Sequence, residues 1–89
     1  MQIVFDVNKN ESNFAKHGFY LSDVANMDLL VVLEDERKDY GELRYRAWGY
    51  VGEDACSLAF TVMGEGVRPI SLRRAHEKEM RKYVKKREK

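Results

Sequence analysis

RYRAWGYVGEDACSLAFTVMGEGVRPISL, residues 44–72, holds three strand-like runs separated by two short glycine turns. Aromatic and charged residues mix at strand-like spacing through residues 44–51, and apolar residues alternate with small or polar ones through residues 55–63. A third run covers residues 67–72. Because tight turns that contain glycine join consecutive antiparallel strands, this segment predicts a three-stranded meander.

The start of the chain predicts a strand followed by a helix. Residues 2–5 are short and β-branched, which suits a first strand. Asp6 and Asn8 are placed to cap the next helix, since a side-chain oxygen accepts hydrogen bonds from unpaired N–H groups of the first turn. We expect this helix to run to about His17, where Gly18 is a natural left-handed stop.

Phe14 of this first helix should lie in the core. Two more elements are expected before the meander, and the first is a short helix capped by Ser22. Residues 29–33 form a continuous apolar run that suits either a buried strand or the end of that second helix. We favour the strand.

The end of the chain predicts a basic amphipathic helix that begins at about Arg73. Met80, Tyr83 and Val84 fall at positions i, i+3 and i+4 among charged residues, which is the spacing of one helix face. The elements together predict an α+β fold, an antiparallel sheet packed against N-terminal helices and a basic C-terminal helix. A chain of 89 residues should form one domain, residues 1–89.

The net charge of +1 hides a strong asymmetry along the chain. Residues 68–89 contain ten lysines and arginines against three acids, whereas residues 1–67 contain six basic and twelve acidic residues. A basic cluster is typical of polyanion binding, although a solvated helix face explains it equally well. The five acids between Glu34 and Glu42 should form a solvated loop that repels phosphate. Any nucleic-acid surface should therefore lie on the other side of the molecule.

The composition argues against several classes of protein. Because Cys56 is the single cysteine of the chain, a disulfide framework and a multi-cysteine metal site are excluded. The alternating pattern around Cys56 predicts a small core residue of a strand. Neither His17 nor His76 has a partner at metal-binding spacing, so we expect no metal and no other cofactor. The chain has no apolar run long enough for a membrane span and no signal-peptide pattern. We therefore expect a cytoplasmic protein that does not enter a membrane.

The remaining candidates for chemistry are mostly cations. RNA cleavage needs an activated 2′-hydroxyl, stabilised charge on the phosphorane and a protonated leaving oxygen, and guanidinium groups suit the second task because they grip phosphate bidentately. Glu79 and Tyr83 share a helix face and are either proton-handling groups or a surface carboxylate and a half-buried aromatic. His17 is either an acid–base group or a cation at a helix C-terminus. The arginine candidates are Arg44, Arg68, Arg73 and Arg74.

Four short motifs carry a resemblance to a known family. They are Phe5-Asp6-x-Asn8-Lys9, Asn13-x-x-Lys16-His17-Gly18, Glu42-x-Arg44 with Gly49, and Arg68-Pro69-Ile70-Ser71-Leu72-Arg73-Arg74-Ala75 followed by Glu79 and Tyr83. In this order and spacing they resemble the BrnT toxins of bacterial type II toxin–antitoxin systems, over about residues 3–83. The chain departs from the family pattern at Phe5, where the family has Trp, and at Pro69, where it has an aliphatic residue.

The resemblance implies a RelE-like fold and a ribonuclease that arrests translation, neutralised by a cognate BrnA-like antitoxin in a hetero-oligomer. We expect metal-independent cleavage by 2′-hydroxyl attack. Arg44 and Arg73 would hold the phosphate, Lys16 or His17 would move protons, and Glu79 would orient an arginine or act as a base. The residues expected to contact RNA around this catalytic set are Arg68, Arg74, Arg81 and Tyr83.

Two alternatives give the basic C-terminal helix a different role. The chain could be a nucleic-acid-binding module without catalysis, in which the helix grips phosphates, or the helix could chiefly dock an antitoxin segment. Substitution separates the first alternative from an enzyme. In an enzyme Arg73→Ala lowers cleavage far more than affinity, whereas a binding module loses affinity alone.

Overall fold

A five-stranded sheet forms the centre of the computed structural model, which describes residues 2–85. The strand order is β1-β5-β4-β3-β2, and β1 runs parallel to β5 while the other neighbours are antiparallel. The elements in chain order are β1 (Gln2–Ile3), α1 (Val7–His17), a 3₁₀ helix (Leu21–Asn26), β2 (Met27–Glu34), β3 (Tyr45–Val51), β4 (Asp54–Met63), β5 (Gly66–Arg74), α2 (Glu77–Met80) and a π-helical turn (Arg81–Lys85).

The α+β class, the meander and the strand over residues 29–33 are confirmed, but the sheet is mixed rather than wholly antiparallel. The meander ends on β5, and β2 already covers the free edge of β3. The N-terminal strand β1 therefore pairs with the remaining free edge, that of β5, and the two strands run in the same direction. Only Gln2 and Ile3 form this strand, because the chain then leaves the sheet towards α1.

Helix α1 begins and ends where its sequence predicts, but two of its residues differ from their predicted roles. Asp6 is the N-cap, and its Oδ1 accepts from the main-chain N–H of Asn8 at 2.7 Å. Gly18 stops the helix in the left-handed region, with φ of 80°. The expectation that Asn8 also caps is wrong, because Asn8 lies inside the helix. Phe14 is not a core residue either, because its side chain stays 46% exposed and stacks on Tyr20.

The next helical segment starts two residues earlier than expected. The predicted cap, Ser22, lies inside the 3₁₀ helix, whose N-cap is Tyr20. Asp23 supplies the capping carboxylate instead, and its Oδ2 accepts from the Tyr20 N–H at 2.9 Å. Leu21 and Val24 of this helix are buried in the main core.

Asn13 is the residue of α1 that faces inward, and it is polar for a physical reason. β1 covers only the first residues of β5, so the later main-chain groups of β5 need another partner. The Asn13 amide provides it: Nδ2 donates to Leu72 O at 2.8 Å, and Oδ1 accepts from Leu72 N at 3.1 Å. A second Nδ2 bond, to Phe19 O at 2.7 Å, fixes the chain after the helix.

The two faces of the sheet are covered by different parts of the chain. On one face the 3₁₀ helix and the residues before it close the main core, which contains Phe19, Leu21, Val24, Ala47, Cys56, Leu58, Phe60 and Leu72. On the other face α2 and the π-helical turn cover a smaller cluster of Val31, Trp48, Ala75, Met80 and Val84. No helix of the described residues is long and apolar enough to cross a membrane.

The C-terminal helix begins later than predicted. β5 continues through Arg74, because Arg73 and Arg74 still pair with β4, and α2 begins only at Glu77. Met80 and Val84 nevertheless face the sheet, as their spacing predicts. Residues 86–89, which complete the predicted basic helix, lie outside the described residues.

We predict that Asn13→Ala lowers the free energy of unfolding by about 2–4 kcal/mol, because it removes three buried hydrogen bonds and leaves their main-chain partners unsatisfied. Urea denaturation measures the difference. Ser12→Ala, an exposed position of the same helix, is the matched control and should change stability by less than about 0.5 kcal/mol. Equal effects at the two positions would contradict a structural role for the Asn13 amide.

Candidate active site

Three rows of side chains lie across the sheet face opposite the main core, on strands β3, β4 and β5. Successive rows are roughly 7 Å apart along the strands. The central strand supplies small or polar residues and the flanking strands supply arginines, so we call this surface the cationic face. From one end to the other, the rows are Trp48–Ser57–Arg73, Arg46–Ala59–Ser71 and Thr61–Arg68, with Arg44 directly before β3.

A β-bulge in β5 determines which residue joins the last row. The register pairs Ala59 with Ser71 but Phe60 with Pro69, so Ile70 is the extra residue. An unbroken alternation from Ser71 would place Pro69 on the cationic face. Because of the bulge, Pro69 is buried and Arg68 joins the cationic face beside Thr61.

Arg73 is held in place by Glu79 at the start of α2. Their two charge-assisted hydrogen bonds join Nη1 to Oε1 at 2.8 Å and Nη2 to Oε2 at 3.1 Å. Glu79 also accepts from the Trp48 indole N–H at 3.2 Å and from the His76 main-chain N–H at 3.0 Å. The Arg73 guanidinium, followed by these smaller contributions, lowers the pKa of Glu79 to about 2. A carboxylate this acidic is a poor base, so the geometry favours an orienting role.

An aromatic stack lies beside this ion pair. The Trp48 and Tyr83 rings are parallel, with centroids 4.0 Å apart, and Trp48 is fully buried. The Arg46 guanidinium lies 4.7 Å from the Trp48 ring centroid and 5.3 Å from that of Tyr83. Arg46, followed by Lys82, lowers the pKa of the Tyr83 phenol. A hollow of about 490 Å³ opens here, lined by Arg46, His76, Lys78, Glu79, Lys82 and Tyr83.

The other end of the cationic face holds a second carboxylate between two arginines. Glu42 Oε2 lies 3.0 Å from Arg44 Nε, and Glu42 Oε1 lies 3.1 Å from Arg68 Nη2. The hydrogen bond from Arg44, together with the charge of Arg68, lowers the pKa of Glu42. Arg44 also stacks on the Tyr40 ring, with its guanidinium carbon 4.3 Å from the centroid.

The acidic loop therefore differs from its sequence prediction in two ways. It is not wholly solvated, because Asp35 is buried and bonds to Arg37 at 2.8 Å and to the Tyr40 hydroxyl at 3.0 Å. These bonds, with that of Arg37 the strongest, lower the pKa of Asp35. The loop also does not lie away from the cations. Glu42 pairs directly with two of them, because the loop enters β3 through Arg44.

The remaining predicted residues lie in three other places. Lys16 and His17 line a hollow of about 300 Å³ between α1 and the edge of β5, which shares no lining residue with the hollow beside Glu79. Arg74 lies on the opposite face, 2.8 Å from Asp54 and over the Phe19 ring. Arg81 is exposed and pairs with Glu77 at 3.4 Å. The structure thus brings together Arg73, Glu79 and Tyr83 at one end of the cationic face, and Arg44 and Arg68 at the other.

Arg46 and Trp48 are the residues of this face that sequence reasoning assigned only to a strand. The sequence contains a pattern that places Arg46 and Trp48 on this face. Side chains of a strand alternate between its two faces, and Arg44, Arg46 and Trp48 alternate with the core residues of β3. The third partner of the stack, Tyr83, comes from the far end of the chain, and no local pattern links it to β3. Within residues 2–85 no three His, Cys, Asp or Glu side chains are grouped to hold a metal ion, and Cys56 is a fully buried free thiol.

Comparison with known families gives one match over most of the chain. Residues 5–79 match the BrnT_toxin family model, which describes a ribonuclease toxin, BrnT, of type II toxin-antitoxin systems. The matched region contains Lys16, Arg44, Arg68, Arg73 and Glu79, and it ends before Tyr83. No curated protein matches the chain.

The lowered pKa of Glu79 predicts a pH dependence of stability. Its folded pKa of about 2 lies below the ordinary value of 4.5, so its contribution is complete above about pH 4.5 and is lost as the pH falls towards 2. Near neutral pH, Glu79→Gln should lower the free energy of unfolding by about 2 kcal/mol, and the difference from wild type should shrink through this window. Urea denaturation at several pH values measures it.

Glu77→Gln is the control for this prediction. Glu77 is a highly exposed carboxylate of the same helix with one long ion pair, so its substitution should have little effect at every pH. A Glu79→Gln difference that stays constant from neutral pH to pH 2 would show that the Glu79 charge does not stabilise the fold.

Proposed function

The chain belongs to the BrnT family of ribonuclease toxins of type II toxin–antitoxin systems, and we propose that it cleaves RNA on the cationic face. The observation that carries this proposal is that two N–H groups of the Arg73 guanidinium remain without an acceptor within residues 2–85. Glu79 and the Arg74 carbonyl occupy both Nη1–H groups and one Nη2–H. The Nε–H and the second Nη2–H have no acceptor among the described residues. This parallel pair matches two phosphate oxygens, and Glu79 has already fixed its direction.

The reaction that suits this arrangement needs no metal ion. The 2′-oxygen attacks the adjacent phosphorus as its proton leaves, the bond from phosphorus to the 5′-oxygen breaks, and the leaving oxygen takes up a proton. The products are a 2′,3′-cyclic phosphate and a 5′-hydroxyl. Arg73 stabilises the charge that grows on the phosphate oxygens. His76 and Tyr83 line the hollow beside Glu79, the carboxylate that holds Arg73, and are the proton-handling groups that we assign there.

The rest of the face binds the RNA strand. Arg44 and Arg68 contact the chain beyond the scissile phosphate once it displaces Glu42. Lys16 and His17 lie at the edge of β5 next to Ser71 and extend the interface rather than complete the catalytic hollow. Arg74 is not part of this proposal, because it lies on the opposite face of the sheet.

The family also supports a proposal about the partner and setting. A type II toxin is held inactive by a protein antitoxin, and we infer a BrnA-like antitoxin that covers the cationic face in a hetero-oligomer in the cytoplasm. The sheet with helices on both faces is compatible with a RelE-like arrangement. Induced expression should arrest growth, and co-expression of a cognate antitoxin should restore it. Continued growth without the antitoxin would oppose toxicity of this chain.

The neighbouring residues Arg73 and Arg74 form a matched pair that tests the active site. Arg73→Gln should slow cleavage of a short single-stranded RNA by at least about 100-fold, because it removes a preorganised donor from the transition state. Arg74→Gln removes the same charge from the opposite face and should stay within about twofold of wild type. Rates are measured in EDTA with analysis of the cyclic phosphate ends.

The same experiment separates the proposal from its rivals. Cleavage that requires an added divalent metal would contradict the metal-free mechanism. Tight binding of RNA without any cleavage would favour a binding module. Equal losses in Arg73→Gln and Arg74→Gln would indicate that total charge, and not the Arg73 site, determines the rate.

Glu42 offers an independent prediction about RNA affinity. Glu42→Gln should strengthen RNA binding by about fivefold, because it removes a negative charge that repels the RNA phosphates and releases Arg44 and Arg68 to bind them. Titration of fluorescent RNA by anisotropy measures the affinity. Glu36→Gln, an exposed acid of the same loop, should have the smaller effect. Weaker binding by Glu42→Gln would mean that Glu42 positions the arginines for RNA instead of competing with it.

A further inference from the structure

Arg46 is a half-buried cation for which the described residues supply no negative partner. It projects from β3 into the hollow beside Glu79, with its guanidinium against the Trp48 and Tyr83 rings. Among residues 2–85 it forms no ion pair and no hydrogen bond to a carboxylate or main-chain carbonyl. The arginines of the neighbouring rows, Arg68 and Arg73, are both paired with glutamates.

The surroundings of Arg46 add positive charge and do not cancel it. Lys78 and Lys82 line the same hollow. The carboxylate there, Glu79, already accepts four hydrogen bonds, from Arg73, Trp48 and the His76 main chain. Partial burial of a charge is costly unless it is paired, and ring faces compensate only part of that cost. The hollow therefore has the composition of an anion site.

The aromatic stack also determines how Arg46 can bind. A guanidinium that lies against ring faces keeps its N–H groups in its own plane, so those of Arg46 that are not directed at the Tyr83 phenol remain available to an acceptor. A nucleobase is a poorer fit, because Trp48 covers one face of the Tyr83 ring and the Lys82 ammonium lies 5.1 Å from its centroid. A phosphate is small enough to meet the edge of the guanidinium and the two lysines together.

We propose that Arg46 binds a backbone phosphate of the RNA next to the one that Arg73 holds. On the cationic face Arg46 stands one row from Arg73, roughly 7 Å along the strands, and two strands from it, roughly 10 Å across the sheet, so these two long side chains can reach neighbouring phosphates of one RNA strand. This inference rests on the proposed cleavage of RNA at Arg73. In this proposal Arg46 contacts the phosphate both before and during the reaction. Removal of the Arg46 guanidinium therefore raises KM and leaves kcat nearly unchanged.

The test uses the full chain and a short single-stranded RNA with 2′-O-methyl groups, which binds but cannot be cleaved by 2′-hydroxyl attack. Arg46→Gln should weaken binding about tenfold and lower the slope of log affinity against log salt by about 0.7, the value for one lost phosphate contact on a single strand. Arg46→Lys should keep the slope. Lys38→Gln, which removes a charge from the exposed loop, is the matched control and should change neither quantity appreciably.

A purely structural role for Arg46 gives a different result. Arg46→Gln would then lower thermal stability and shift the fluorescence of Trp48, the only tryptophan, while the salt slope stayed at its wild-type value. That outcome overturns the inference, as does an unchanged affinity. If Arg73→Gln abolishes cleavage of unmodified RNA while Arg46→Gln keeps its affinity, the proposed function stands and this inference alone fails. If wild type neither binds nor cleaves RNA, both fail.

Discussion

The alternation of side chains along β3, β4 and β5 is the constraint on which the other features depend. Antiparallel pairing fixes the register of the three strands, so each residue is committed either to the apolar core or to the opposite face. Ala47, Leu58 and Leu72 form one row in the core, and the rows on either side of it supply the arginines. A single extra residue, Ile70, changes this assignment for the start of β5 and is the reason that Arg68 joins the cationic face.

Carboxylates organise the cations that this alternation collects. Glu79 fixes the Arg73 guanidinium, while the Trp48 indole and a main-chain N–H hold Glu79 in turn, so an arginine fork is oriented before any anion arrives. Glu42 pairs with Arg44 and Arg68 as well, but in a more exposed position where an RNA phosphate can displace it. Fixed charges that need little rearrangement are effective in stabilising charge that develops during a reaction. The family match identifies the activity as ribonuclease, and these contacts explain how the residues of this chain would perform it.

The sequence predicted the elements well where local rules apply and poorly where a distant contact decides. The glycine turns of the meander, the Asp6 cap and the Gly18 stop follow from local geometry, and all three are confirmed. The inward position of Asn13 instead of Phe14 depends on the free edge of β5, far along the chain.

The same reason explains what was missed at the site. Arg73 and Glu79 lie in the motif region near the end of the chain and were both singled out, whereas Arg46 acquires its environment from Tyr83, which only the folded chain brings near. The parallel pairing of β1 likewise depends on which sheet edge the meander leaves free. The arrest of translation and the antitoxin were expectations from family resemblance, since no arrangement of charges identifies them.

The buried thiol gives the molecule an internal reporter of its integrity. Cys56 is fully enclosed in the central strand of the sheet, and burial raises its pKa, so little reactive thiolate forms and alkylating reagents cannot reach it in the native state. Modification requires β4 to separate from its neighbours. The rate of labelling by iodoacetamide consequently follows the opening of the very strands that align the arginines, and damage to that alignment becomes measurable without any substrate.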